Sequence, residues 1–456
     1  MRAIVFLGLV VILVLGVVWL WPRIEGDPPV LSGPEEIRIG TRPVPIDVAW
    51  ADDGTGLASI SAVLRIPTDA GEPRETVLHE ERFRSLRGGG PLIPVARQTR
   101  TFELDAEAIG VDEGEATLVL SANDGSWSGL GSGNTAELEI PIRIDTKPPR
   151  VVIETGLTYV RRGGSALLAY RVDGDAVRSG VRVGDAFFPG VARDGDEHVA
   201  VFAIPVEADD QPLVEVVGID DFGNETAHRF DARIQDRSIP TIPIGLSDAF
   251  LERVAQTFGR EWEDAKDDPD ASPLSVFQWV NTELRERNEA RIAETIPAPS
   301  DALWSGAFEQ MRGSKVTSEF AELRHYMLGN RRVSRARHYG YDLASTSRAE
   351  ITASNAGTVI HAGPLGIYGN LVLIDHGLGI TTLYGHLSSV DVAVGDRVER
   401  GQSLGRSGAT GLAGGDHLHF AVMVGRTYVD PLEWWDPKWV RDHIESRLGP
   451  PAPDAA

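Results

Sequence analysis

The sequence predicts a multidomain, mainly β chain with one N-terminal transmembrane helix, a helical segment past its middle and a C-terminal antiparallel β-rich domain. Three observations carry this. Residues 3–21 form an uninterrupted apolar run. Between residues 28 and 239, short stretches alternate apolar and polar side chains between Gly/Asp turns, the period-two pattern of half-buried strands. Eight of the eleven histidines lie from His325 onward, among apparent strands and Gly-rich turns. At 456 residues the chain has room for roughly three domains.

Composition narrows the function classes. The chain carries 67 acidic against 44 Lys and Arg residues, a net charge of −23, which argues against a nucleic-acid binder. From Asp301 onward there are 17 acidic and 15 basic residues, so the excess acid sits in the first 300. Cysteine is absent, which removes disulfides, Cys-ligated zinc and a cysteine nucleophile together.

Ala3 to Trp21 spans roughly 28 Å as a helix, about one hydrocarbon core. It ends in Trp19-Leu20-Trp21-Pro22-Arg23 with no small-residue cleavage site, so residues 1–27 are expected to be an uncleaved single-pass anchor and flank. Either an anchor or a removed signal exports the rest of the chain. Residues 28–146 read as a β-sandwich: Pro45–Trp50, Leu57–Ile66, Ala116–Ala122 and Ala136–Ile140 are its clearest strands, with Ile60, Ala62, Leu64 and Ile66 on one face. Lys147-Pro148-Pro149 breaks the ladder. Residues 147–239 read as a second sandwich whose last hairpin turns through Asp220-Asp221-Phe222-Gly223-Asn224, where Gly223 and Asn224 can take positive φ. Both regions weakly resemble bacterial immunoglobulin-like domains, which implies spacers or binding platforms.

Residues 240–314 change period and read as a helical linker or regulatory region. Ser247 is placed to cap a helix carrying Phe250, Leu251, Val254, Ala255 and Phe258, and Ser272-Pro273 to start another carrying Phe277, Val280 and Leu284. Asp267-Asp268-Pro269-Asp270 reads as a solvated loop. Residues 315–456 form the last domain and tail.

Three motifs there carry chemistry: His338-Tyr339-Gly340-Tyr341-Asp342, Leu383-Tyr384-Gly385-His386-Leu387, and Gly415-Asp416-His417-Leu418-His419-Phe420. In a strand starting at His417, His417 and His419 share one face while Leu418, Phe420, Val422 and Val424 face the core. Two imidazoles and a carboxylate can hold zinc with one position left for water, the arrangement of a catalytic site. Alternatives are few. His79-Glu80 lacks the second histidine of a His-Glu-x-x-His helix, and Gly401-Gln402-Ser403-Leu404-Gly405 is followed by another Gly-rich turn rather than the helix a nucleophile elbow requires.

Taken together, and with the stretches Tyr368–Gly377, Val394–Gln402 and Gly405–Gly411, the motifs resemble the lysostaphin/LytM-type zinc metalloendopeptidases, which cut peptide cross-links of bacterial cell walls. The resemblance runs from about Val316 to Trp439. It implies an LytM-type peptidase domain, zinc on His338, Asp342 and His419, and catalytic roles for His386 and His417 whose division stays open. Tyr384 and Asn370 are candidates for contact with substrate or for support of the site. His376 and His361 read as hydrogen-bonding core residues, and Arg331, Arg332, Arg335 and Arg337 as a basic stretch ahead of the first ligand.

The expected function is therefore hydrolysis of peptidoglycan cross-links outside the cytoplasm, from an inner-membrane anchor with the bulk of the chain in the periplasm or on the extracellular face. The alternative is a non-hydrolytic wall-binding scaffold or activator of another hydrolase. Peptidoglycan and the membrane are the expected partners, with a protein regulator at the β or helical domains; the helices before the last domain are placed to cover its groove.

Overall fold

The computed structural model describes residues 26–448 apart from 69–70, 84, 87–89, 92–94, 128–131 and 267–271. The chain is mainly β. The apolar run Ala3–Trp21, the Asp267–Asp270 loop and the tail from residue 449 lie outside the described residues. Among the described residues, no helix is long and apolar enough to cross a membrane. The chain divides into two compact units: residues 1–149 with 219–225, and residues 150–218 with 226–456.

In the first unit, a three-stranded sheet (Val30–Ser32, Val44–Ala51, Arg97–Leu104) and a five-stranded sheet ordered Ile37–Ile39, Thr135–Asp145, Glu113–Asp124, Leu57–Ile66, Arg74–Arg82 share one apolar core around Trp50, Leu64, Leu118 and Ile142. Leu57–Ile66 buries Ile60, Ala62, Leu64 and Ile66 on alternate positions, as its period requires. The turn at Asp220 is an Asx turn. The Asp220 carboxylate accepts the Phe222 and Asn224 N–H groups, and Gly223 takes φ +81°. Asn224 keeps negative φ, contrary to expectation, and its side-chain amide donates to Asp220 and to the Asp145 carbonyl.

The second unit begins with further β-sheet, including Ser165–Asp173 between Arg150–Ile153 and Glu197–Ala203. The helices follow. Asp248–Lys266 starts after Ser247, whose hydroxyl accepts the Phe250 N–H, and it buries Leu251, Val254 and Phe258. Pro273–Trp279 has Pro273 at its first turn and Ser272 as its cap. A π turn, Val280–Leu284, then leads into Arg285–Thr295. The helices hold together through edge-on ring pairs, Phe250 with Phe277 and Trp262 with Trp279.

The region 240–314 is not helical throughout. Thr241–Gly245 is a strand, parallel to Leu323–Leu328, which pairs in turn with Arg331–Arg337. Thr-Ile-Pro-Ile-Gly alternates in burial, and Pro243 is tolerated because this strand is an edge. Residues 296–314 run without regular structure along the last domain. Trp304 and Phe308 are buried there against Trp434, and Phe308 also meets the His376 ring.

The last domain is built on an antiparallel sheet whose order is Lys315–Ser318, Tyr341–Ala344, Leu418–Val424, Ile380–Leu387, Asn370–Asp375, Gly357–Pro364 and Arg397–Val398. Leu418–Val424 lies at its centre and is buried at every position. The sequence pattern suggested one covered face; the second is buried as well, Met423 being 2% exposed. Ser403 opens a short strand, Ser403–Arg406, which confirms it as part of a β connection. Leu418 is 2% exposed on the face opposite His419. Leu418→Ala is expected to cost about 2–5 kcal/mol of stability in denaturant unfolding while the folded protein keeps its full metal content.

His376 is fully buried, with Nδ1 2.6 Å from the Ala356 carbonyl oxygen and Nε2 2.7 Å from the Thr382 hydroxyl. Burial, only partly offset by the bond to Ala356, pushes it down to about 4. The unfolded chain takes up this proton near pH 6.5 and the folded one cannot. The corresponding stability, roughly 3 kcal/mol, is present above pH 6.5 and is lost as pH falls to 4. In metal-free protein, His376→Gln is expected to flatten the pH dependence of the unfolding free energy between these limits; an unchanged slope contradicts this.

Candidate metal centre

Register across the sheet brings the centre together. Asp342 and His419 are direct partners on adjacent antiparallel strands, and Gly385 faces His419 from the other side. His338 precedes the Asp342 strand, and Gly340 between them is a steric requirement: a Cβ there would lie 2.8 Å from His419 Cε1. Asp342 Oδ1 is 2.9 Å from His338 Nε2 and 3.0 Å from His419 Nδ1, and those two nitrogens are 3.0 Å apart. All three residues are buried.

The hydrogen-bonding around this triangle suits it to a cation. His338 Nδ1 lies 2.9 Å from the Glu319 carbonyl oxygen, which can only accept, so Nδ1 carries the hydrogen and Nε2 presents a lone pair. Burial, with the neighbouring imidazoles, pushes His419 down to about 4, so it is neutral at pH 7. Burial opposes the charge on Asp342, but the His338 ring and the polar ring nitrogens of His417 and His419 gathered around it hold its carboxyl well below the usual carboxylate range. Two imidazole lone pairs and a carboxylate oxygen thus converge within 3 Å. Ligands of tetrahedral zinc at about 2.0–2.1 Å lie roughly 3.3 Å apart, so this donor set fits zinc after a small outward relaxation.

Two further imidazoles stand beside the triangle. His386, next to last in the strand Ile380–Leu387, has φ +65°, a conformation that costs about 1–3 kcal/mol in a non-glycine residue and is held by its surroundings. Its Nδ1 is 2.8 Å from the Thr410 carbonyl oxygen. Burial and the two adjacent imidazoles push it down to about 3. His417 lies just outside the strand, bridged to Gly408, with Nδ1 2.8 Å from the Gly415 carbonyl oxygen and Nε2 3.5 Å from Asp342 Oδ1. The ring centroids of His386 and His417 are 4.9 Å apart. In both, the backbone carbonyl fixes hydrogen on Nδ1 and leaves Nε2 to exchange protons. All five predicted residues line one polar cleft of about 120 Å³.

Tyr384 and Asn370 do not line that cleft. The Tyr384 hydroxyl is buried, accepting the Ser354 N–H at 2.8 Å and the Thr382 hydroxyl at 3.1 Å, and its ring packs on Phe420. Asn370 donates from its side chain to the Leu387 carbonyl, tying the strand that carries His386. The Tyr384 hydroxyl is thus engaged within the scaffold, and the Asn370 side-chain N–H supports the strand behind the cleft.

Sequence reasoning missed Arg324 and Tyr368. Arg324 Nη2 donates to Asp342 Oδ2 at 2.7 Å, which turns Oδ1 alone toward the histidines. Nothing local marks it, since it reaches Asp342 only through the hairpin. Tyr368, which opens the stretch Tyr368–Gly377, has its ring centroid 5.8 Å from that of His419. Its hydroxyl donates to Glu289 at 2.5 Å, Asn288 accepts the Ile367 N–H, and Arg253 donates to the Ala413 carbonyl. The helical segment thereby holds both rims of the cleft. Arg324→Met is expected to weaken metal affinity about 10–100-fold, as loss of a ligand's outer hydrogen-bond partner does; competitive chelator titration measures it.

Comparison with known proteins converges on the same residues. The model of peptidase family M23 matches residues 336–431. The DD-carboxypeptidase/endopeptidase Mpg of Neisseria meningitidis serogroup B is 34% identical over 119 residues, 26% of this chain and 26% of its own. The peptidoglycan DD-endopeptidase ShyA of Vibrio cholerae is 39% identical over 128 residues, 28% of this chain and 26% of its own. The chain thus spans about a quarter of the length of these curated relatives. Among solved structures, the catalytic domain of lysostaphin from Staphylococcus simulans matches with 30% identity, covering 29% of this chain and 98% of that one, at a TM-score of 0.25. Residues 336–431, which hold all five of the converging side chains, are a peptidase family M23 domain.

Proposed function

We propose that the chain is a zinc-dependent endopeptidase that hydrolyses peptide cross-links of bacterial peptidoglycan outside the cytoplasm. The observation that carries this is the convergence of two imidazole lone pairs and one carboxylate oxygen within 3.0 Å, with two more imidazoles at the same cleft. His338, Asp342 and His419 would hold the metal. Zinc there supplies a Lewis acid that polarises a carbonyl and lowers the pKa of water toward about 7. The chain's own residues do the rest. Nε2 of one of His386 and His417, in its neutral form, takes a proton from the attacking water and returns it to the leaving amine, while the other, protonated on both nitrogens, donates a hydrogen bond from Nε2 to the scissile carbonyl oxygen as negative charge develops there. Arg324 keeps Asp342 oriented throughout.

The apolar run Ala3–Trp21 supports a membrane anchor with the bulk of the chain exported, and the relatives' names support peptidoglycan as substrate. The purified protein is expected to bind about one zinc per chain and to release peptides from cell-wall sacculi. Zinc binding with sacculi and cross-linked muropeptides left intact would reject the hydrolase. In cells, full function of His419→Ala at normal protein level would favour the scaffold reading instead.

A further inference from the structure

Three guanidinium groups, those of Arg285, Arg324 and Arg337, line the cleft beside the metal triangle. Two are spoken for. Arg324 is bonded to Asp342, and Arg337 lies 2.6 Å from Glu207 and donates to the Ala321 carbonyl. Arg285 differs. Its Nη2 donates to Asn281 Oδ1 at 3.0 Å and its Nε, like that of Arg324, is sealed from solvent without an acceptor, but among the described residues no carboxylate pairs with it. The nearby Glu289 is no substitute, because its two oxygens accept the hydroxyls of Tyr368 and Tyr428.

The placement of Arg285 is built. It directly follows the π turn Val280–Leu284, a helix irregularity frequent at functional sites. Asn281, itself 2% exposed, is anchored by donating to the Ser334 hydroxyl and the Arg335 carbonyl, so its amide holds the guanidinium in one orientation. A preorganised cation facing a cleft without a counterion suits an anionic ligand, and a guanidinium fork suits a carboxylate.

We propose that Arg285, contributed by the helical segment and lying outside the M23 domain, binds a free carboxylate of the substrate peptide and so sets which wall peptides enter the cleft. This rests on the peptidase reading above. Either a C-terminal or a side-chain carboxylate offers the same chemistry.

The test uses the full chain and three cross-linked wall peptides: one with both carboxylates free, one amidated at the C-terminus, one amidated at the side chain. Hydrolysis is measured with zinc, and binding by calorimetry without it. The wild type is expected to disfavour one amidated peptide by roughly ten- to hundredfold, mostly in KM and equally in metal-free binding. Arg285→Ala should lose that preference while cleaving the disfavoured amide at the wild-type rate, and Arg285→Lys should keep part of it. The amide that is disfavoured identifies the carboxylate. Equal treatment of all three peptides by the wild type, or a preference that survives in Arg285→Ala, overturns the assignment. Preferential binding without cleavage of any peptide instead overturns the peptidase reading and leaves the carboxylate site standing.

Discussion

Asp342→Ala is expected to empty the metal centre and to lower peptide hydrolysis by more than about 10³-fold, the scale of several kcal/mol that a bound metal contributes to the transition state. The carboxylate is the only anion in the triangle, and its Oδ1 lies within 3.0 Å of both ligand nitrogens. Without it, two neutral imidazoles remain, too few for a tight zinc site. The substitution also strands Arg324, whose remaining acid, Glu322, is 3.6 Å away. Asp342→Asn, which keeps the shape and an acceptor for Arg324, separates the two effects: it should lose metal with a smaller stability penalty than Asp342→Ala. Metal analysis of protein shown to be folded decides the point, and about one equivalent retained by Asp342→Ala would remove it from the ligand set.

The fold was legible where one face of an element meets water. Leu57–Ile66 alternates because only one side is covered, and the helices after Ser247 and Ser272 show both their caps and their stripes. Legibility failed where burial is two-sided or where pairing is remote. Every side chain of Leu418–Val424 is covered, so no alternation betrays its second face. Thr241–Gly245 is defined by a parallel partner, Leu323–Leu328, about 80 residues further on. Its one proline, Pro243, sits in a region whose dominant period is helical.

The centre divides the same way. His338, Asp342, His386, His417 and His419 were readable because each sits in a short motif whose spacing the sheet register uses directly. The residues that orient or surround them were not. Arg324 and Arg285 arrive from other segments, and the hydrogen bonds that fix the imidazoles come from the carbonyls of Glu319, Thr410 and Gly415, which carry no side-chain signal. Tyr384 was a candidate because it lies two residues from His386. The positive φ of His386 breaks the strand's alternation between them, so proximity in sequence did not place the hydroxyl in the cleft.

His386→Ala and His417→Ala are expected to lower turnover by about 10²–10⁴-fold each while zinc stays near one equivalent, because proton transfer and oxyanion stabilisation are lost and the triangle is not. His386 makes the cleaner case. Its Nδ1 hydrogen-bonds the Thr410 carbonyl, and its ring centroid lies 5.9 Å from that of His419, so no ligand depends on it for position. Its φ of +65° persists in an alanine at some cost, and His386→Gly, which relieves that strain, should be more stable yet equally slow. His417 is the harder test. Its Nε2 lies 3.5 Å from Asp342 Oδ1, close enough that a modest shift would let it join the triangle in place of His419. His419, however, is paired in register opposite Asp342, whereas His417 stands beyond the strand end and is more exposed, 15% against 8% for the side chains. Under the proposed mechanism, that geometry gives the ligand role to His419 and the proton to His417. Loss of zinc from His417→Ala as complete as from His419→Ala would reverse the assignment on that strand.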